Sequence, residues 1–157
     1  MNGTSAAHER DLYWMRRAID LSKLCPVSEG AYSVGAVIIG ADGTELSFGY
    51  SRENDEHVHA EESALAKLAQ GDPRLAGATI YSTLEPCSQR RSRPTPCAQL
   101  ILVSGLRRVV VAWREPSLFV NDCVGIELLA EAGVPVIELP ELADSARSVN
   151  KHLPGIT

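Results

Sequence analysis

Along residues 9–24 the apolar side chains Leu12, Met15 and Ile19 recur at helical spacing, with Arg16, Arg17 and Lys23 between them. That pattern predicts an amphipathic first helix. Val34, Ala36, Val37, Ile38 and Ile39 then form a short apolar run, Asp42-Gly43 supplies a turn, and Leu46, Phe48 and Tyr50 alternate with small or polar residues. This reads as a β-hairpin. Residues 60–70 are rich in Ala, Leu, Glu and Lys and close at Gly71-Asp72-Pro73, which predicts a second helix. Residues 78–83 and 109–112 read as buried strands, separated by a basic loop and a helix from Cys97 to about Ser104 that stops at Gly105. Asn121 or Asp122 is placed to cap a further helix ending at Gly133, and residues 134–139 form the last strand.

A hairpin followed by strands alternating with helices predicts an α/β fold, a three-layer α/β/α sandwich around a five-stranded mixed sheet. We expect one domain over residues 1–157, with its core at about 9–140 and a short terminal helix in the tail. No internal repeat or linker interrupts it.

Composition adds exclusions. Apolar residues make up 45% and charged residues 22%, an ordinary globular balance without a membrane-length apolar run. A net charge of −5 argues against wrapping a nucleic acid, whose phosphates demand Lys and Arg, and favours a small-molecule partner. The first ten residues are polar and contain no apolar signal segment, so the expected compartment is the cytoplasm, with no membrane partner. Four cysteines in such a setting are ligands, nucleophiles or buried thiols rather than a disulfide framework. Cys25 and Cys123 lack His or Cys neighbours and read as structural thiols.

The chemistry concentrates in two stretches. His59-Ala60-Glu61 opens the second helix; Glu85-Pro86-Cys87 is followed, after nine intervening residues, by Cys97 at the start of the third. His59, Cys87 and Cys97 make three ligands, the count for a catalytic Zn2+ that keeps a fourth position open for water. Glu61 lies in the same first turn as His59 and is free to carry protons rather than bind metal. His57 is a rival ligand, but lacks a Glu two residues later.

His-x-Glu with a later Pro-Cys resembles the signature of zinc nucleobase deaminases. The longer run Thr83-Leu84-Glu85-Pro86-Cys87-Ser88 is similar to the pyrimidine deaminase of riboflavin biosynthesis within the cytidine-deaminase superfamily. Gly49-Tyr50-Ser51-Arg52-Glu53 looks more like the fungal type than the bacterial bifunctional one, and Ala31-Tyr32-Ser33 stands where the bacterial type carries an Asn-Pro pair. The resemblance implies hydrolytic release of ammonia from a phosphorylated aminopyrimidine, with Glu61 taking a proton from water, protonating a ring nitrogen and then, in a second transfer, the departing amine. It implies substrate contacts from Tyr32, Ser51, Arg52 and Glu53, phosphate capture by Arg90 and Arg93 in the loop between the cysteines, support of the zinc loop by Glu85, and assembly as a homodimer. Another pyrimidine nucleoside, nucleotide or secondary metabolite is the alternative substrate. A zinc-binding module without catalysis is the alternative of a different class.

Overall fold

The computed structural model describes residues 5–88, 95–114, 116 and 123–156. Five strands form one sheet: β1 (Gly35–Ile39), β2 (Glu45–Tyr50), β3 (Thr79–Leu84), β4 (Arg108–Trp113) and β5 (Val136–Glu138). Their order is β2-β1-β3-β4-β5. β1 runs antiparallel to β2 and β3, and β4 runs parallel to β3 and β5, so the sheet is mixed as expected.

Both faces are covered, and the side-chain alternation of strands sorts residues between them. Ala36, Ile38, Ile80, Leu84, Val109 and Val111 face α2 (Ala60–Ala66), α3 (Cys97–Ser104) and α4 (Gly125–Glu131). Val37, Ile39, Tyr81, Val110 and Ala112 face α1 (Ala6–Ser22) and α5 (Ala143–Ser148). The result is the three-layer α/β/α sandwich that the periodicity predicts.

Several boundaries differ from the sequence expectation for local reasons. α1 begins three residues early because Ser5 caps it, accepting from the His8 N–H at 3.1 Å. α2 stops at Ala66 rather than 70, because the Leu68 N–H bonds Leu65 O in a tighter turn and Lys67 reaches back to Phe48 O at 2.6 Å. β5 keeps only its middle three residues, Val136–Glu138. α4 takes Val124 as its cap residue, with no side-chain cap of its own. Asn121 and Asp122, expected to cap it, lie outside the described residues, and the capping comes from the distant residues Glu85 and Ser88.

The α1 face holds one buried ion pair. The carboxylate of Asp11 accepts from Arg108 at 2.9 and 2.7 Å and from the Tyr81 hydroxyl at 2.6 Å. Burial pushes this carboxyl up, but the hydrogen bonds from Arg108 and Tyr81, with the Arg108 charge, outweigh it and hold the group below its usual value. A lowered folded-state value means that the stabilisation is present above the unfolded carboxyl's range and fades as pH falls through the folded one. Asp11→Asn should therefore cost ~2–3 kcal/mol at neutral pH, less than a fully buried pair because a third of Arg108 is exposed. Urea denaturation at neutral and acidic pH should show that difference shrinking toward low pH.

Candidate metal centre

Two helix starts and one strand end meet at the carboxyl edge of β3. β3 finishes at Leu84 and leads directly into Glu85-Pro86-Cys87. α2 is held close to β2, with Ser47 Oγ donating to Ala64 O at 2.7 Å. Gly49 makes that approach possible: a Cβ there would stand 2.5 Å from Ala60 O. The backbone N–H of His59, the residue before α2, donates to the Glu62 carboxylate at 3.2 Å, which fixes the first turn.

His59 Nδ1 lies 3.7 Å from Cys87 Sγ and 3.4 Å from Cys97 Sγ. Tetrahedral zinc with bonds of about 2.3 Å to sulfur and 2.0–2.1 Å to nitrogen separates such atoms by about 3.6 Å, so the donor set fits the ion. Among the described residues this is the one cluster of three or more His, Cys, Asp or Glu ligand atoms, all within 4.8 Å of one another. His57, the rival ligand, is outside it, as are Cys25 and Cys123. None of the four cysteines is in a disulfide.

The start of α3 binds Cys87 twice. The Cys97 N–H donates to Cys87 Sγ at 3.2 Å, and the Ala98 N–H donates to Cys87 O at 3.0 Å. The side chain of Cys97 pulls the Cys87 thiol well below its ordinary value against the opposing effect of burial, and His59 and, least, the Cys97 N–H add to that pull. A thiolate is the form a zinc ligand must take.

Glu61 is 4% exposed and sits in the same first turn as His59. Burial pushes its carboxyl up; His59 opposes that and Cys87 reinforces it. Its Oε2 accepts from Ser82 Oγ at 3.0 Å. Glu85, buried to 2% exposure, accepts from the Ile126 N–H at 3.1 Å and so caps α4 onto the zinc loop. Ser88 Oγ accepts from the Val124 N–H at 3.1 Å beside it. Gly125 seals the contact, since a Cβ there would stand 1.9 Å from Pro86 O.

A matching profile covers residues 8–113 and describes the cytidine and deoxycytidylate deaminase zinc-binding region. The chain belongs to this deaminase family. Zinc is accordingly the cofactor of the His59, Cys87 and Cys97 cluster. The chain is 40% identical over 145 residues to the diaminohydroxyphosphoribosylamino-pyrimidine deaminase of Schizosaccharomyces pombe, covering 90% of this chain and 35% of that protein. It thus spans about a third of that relative's length. A protein of the same name from Buchnera aphidicola of Acyrthosiphon pisum is 30% identical, with 90% and 91% of the two chains covered. The Rib2 deaminase of Aspergillus oryzae, solved in complex with DARIPP, superposes with a TM-score of 0.77 at 22% identity over 89% of each chain, a likeness of fold.

The residues that the resemblance assigned to substrate are engaged in the scaffold. Ser51 Oγ accepts from the Val34 N–H at 3.0 Å. Arg52, at a left-handed φ of 59°, sends its guanidinium to Pro26 O at 3.0 and 2.7 Å, Tyr32 O at 3.0 Å and Ser33 Oγ at 3.2 Å. Glu53 pairs with Lys67 at 2.8 Å and accepts from Ser63 Oγ at 2.6 Å. The Tyr32 hydroxyl donates to Pro116 O at 3.2 Å, and its ring meets Trp113 edge-on. Arg90 and Arg93 lie outside the described residues.

Sequence reasoning missed Asn150. Buried to 1% exposure, it accepts from the Ser33 N–H at 2.6 Å and donates to Ser33 O at 3.1 Å, closing the tail on the segment before β1. A lone Asn in an irregular tail offers no periodic signal to find it by. Cys97→Ala should lower bound zinc from one equivalent to near none, whereas Cys25→Ala leaves it in place, as metal analysis of the purified chains would show. Asn150→Ala leaves two buried groups of Ser33 unpaired and should cost about 1–3 kcal/mol in chemical denaturation while zinc stays bound.

Proposed function

We propose that the chain catalyses hydrolytic deamination of an aminopyrimidine. What carries the reading is the placement of Glu61: a buried carboxylate, in the same helical turn as a zinc ligand, whose affinity for a proton is raised by its surroundings. Bound zinc supplies Lewis acidity, bringing the pKa of a water it binds toward ~7. Glu61 then has the work of moving two protons: one from the attacking water to a ring nitrogen, and a second from the hydroxyl of the resulting adduct to the amine that departs as ammonia. A module that merely stored zinc would have no use for a buried carboxylate beside the metal, which costs stability to keep.

For the substrate we favour a diaminopyrimidinone bearing a ribosyl or ribityl 5′-phosphate. The S. pombe and Buchnera relatives carry a phosphoribosylamino-pyrimidine in their names, and the Buchnera protein is matched over 91% of its length, so a chain of this size suffices for the named activity there. An open cleft of about 630 Å³ lies beside the loop leading to His59, lined by Pro26, Gly30, Arg52, Asp55, Glu56 and His57 among others. Its guanidinium is already bound to backbone oxygens, and Asp55 and Glu56 make it a poor phosphate seat. Phosphate capture is therefore assigned to the arginines at 90 and 93, whose planar donors suit it. Tyr32, Ser51, Arg52 and Glu53 shape the wall of the site in this reading, rather than gripping the ring with their polar atoms. Four cysteines outside any disulfide accord with a reducing compartment such as the cytoplasm.

Glu61→Gln should retain zinc and lose at least ~100-fold in ammonia release. Unchanged turnover, or no ammonia from the diaminopyrimidine phosphate, from its dephosphorylated form, or from cytidine and deoxycytidylate in the parent chain, would falsify the assignment.

A further inference from the structure

β3 carries an exception that neither packing nor metal binding explains. On the face toward α2 its side chains are Ile80, Ser82 and Leu84, all buried, and the middle one is polar and fully inaccessible to solvent. A buried hydroxyl between two apolar neighbours is retained only where it has partners. It has two: Ser82 Oγ stands 3.0 Å from Glu61 Oε2 and 2.9 Å from Leu84 O. Among the described residues, Ser82 supplies the only side-chain hydrogen bond to the Glu61 carboxylate.

We propose that Ser82 is the positioning residue of Glu61, its hydroxyl fixing Oε2 so that the other carboxylate oxygen is presented for proton transfer. This rests on the deaminase reading above. A hydroxyl has one proton to give and lone pairs to receive. Leu84 O can only accept, whereas the carboxyl group accepts as an anion and donates as an acid. Ser82 therefore serves Glu61 on either side of a proton transfer: it donates to the carboxylate, or accepts from the acid and turns its own proton to Leu84 O. Leucine or valine would satisfy the packing, alanine the volume, but none of them both steadies the carboxylate and follows its proton. The neighbouring strand position shows the contrast. Tyr81, pointing the opposite way, donates to Asp11, a carboxylate that Arg108 also holds; among the described residues no Arg or Lys side chain hydrogen-bonds Glu61, and the side-chain hydrogen bond that orients it comes from one hydroxyl.

The test uses the zinc-loaded full chain with Ser82→Ala and Ser82→Cys, the latter close in volume and a weak donor. In crystal structures, Glu61 should leave its parental rotamer or split between rotamers in the alanine variant, less so in the cysteine one. With the diaminopyrimidine phosphate as substrate, kcat should fall roughly 10- to 100-fold for alanine and by less for cysteine, with KM and bound zinc unchanged. Adding Ser82→Ala to Glu61→Gln should lower kcat no further. A Glu61 carboxylate that keeps its place in both variants overturns the proposal. So does an unchanged kcat, a loss confined to KM, or a loss that tracks zinc content. A parent chain that releases no ammonia refutes the deaminase reading instead, and the crystallographic comparison then decides the role of Ser82 by itself.

Discussion

One imidazole nitrogen and two sulfurs, drawn from three stretches of chain, have to occupy the coordination sphere of a single ion, and the surrounding elements are arranged to meet that demand. His59 immediately precedes α2, Cys97 opens α3, and Cys87 follows the last residues of β3. Each position is then held by contacts that leave little slack. α2 rests on β2 through the gap left by Gly49, and α4 rests on the Cys87 loop through the gap left by Gly125. Backbone N–H groups at the start of α3 meet the sulfur and carbonyl of Cys87. Three donors that are spaced for zinc before any ion is considered make a site in which binding need not reorganise the chain.

The two buried carboxylates on either side of β3 show how surroundings decide what an acid does. Asp11 and Glu61 are each 4% exposed. Burial raises both, yet Asp11 ends below its ordinary value because Arg108 forks onto it, and Glu61 ends above because burial and the neighbouring Cys87 outweigh the opposing pull of His59 and Ser82. Adjacent residues of β3 therefore contact, on its two faces, one acid held toward its charged form and a second that holds its proton more tightly. The division follows from which way Tyr81 and Ser82 point, one residue apart.

Around the site, polar side chains that look like ligand contacts act as braces. The segment before β1 is tied by Arg52 through Pro26 O, Tyr32 O and Ser33 Oγ, by Asn150 through both backbone groups of Ser33, and by His152 Nε2 to Ser28 O at 3.0 Å. That segment has no regular secondary structure to satisfy its backbone, so the side chains do it. A pocket wall made this way inherits its shape from residues far along the chain, including a C-terminal tail with no periodic pattern.

The elements, the layer order and the metal-binding side chains were legible in the residue order. Period-2 and period-3.6 patterns report which faces are buried, and α3, expected from about Cys97 to a stop at Gly105, runs Cys97–Ser104 with Gly105 at φ 91°. His59, Cys87 and Cys97 were legible because zinc accepts few donor types in few spacings. What no local pattern could reveal was decided by packing: that Glu85 caps α4 by bonding the Ile126 N–H, 41 residues away, that Ser82 meets Glu61, that Asn150 pairs with Ser33, and that Arg52 bonds the backbone before β1. Periodicity records how often a side chain is hidden, whereas a hydrogen bond between distant residues depends on the directions in which two folded elements present their atoms.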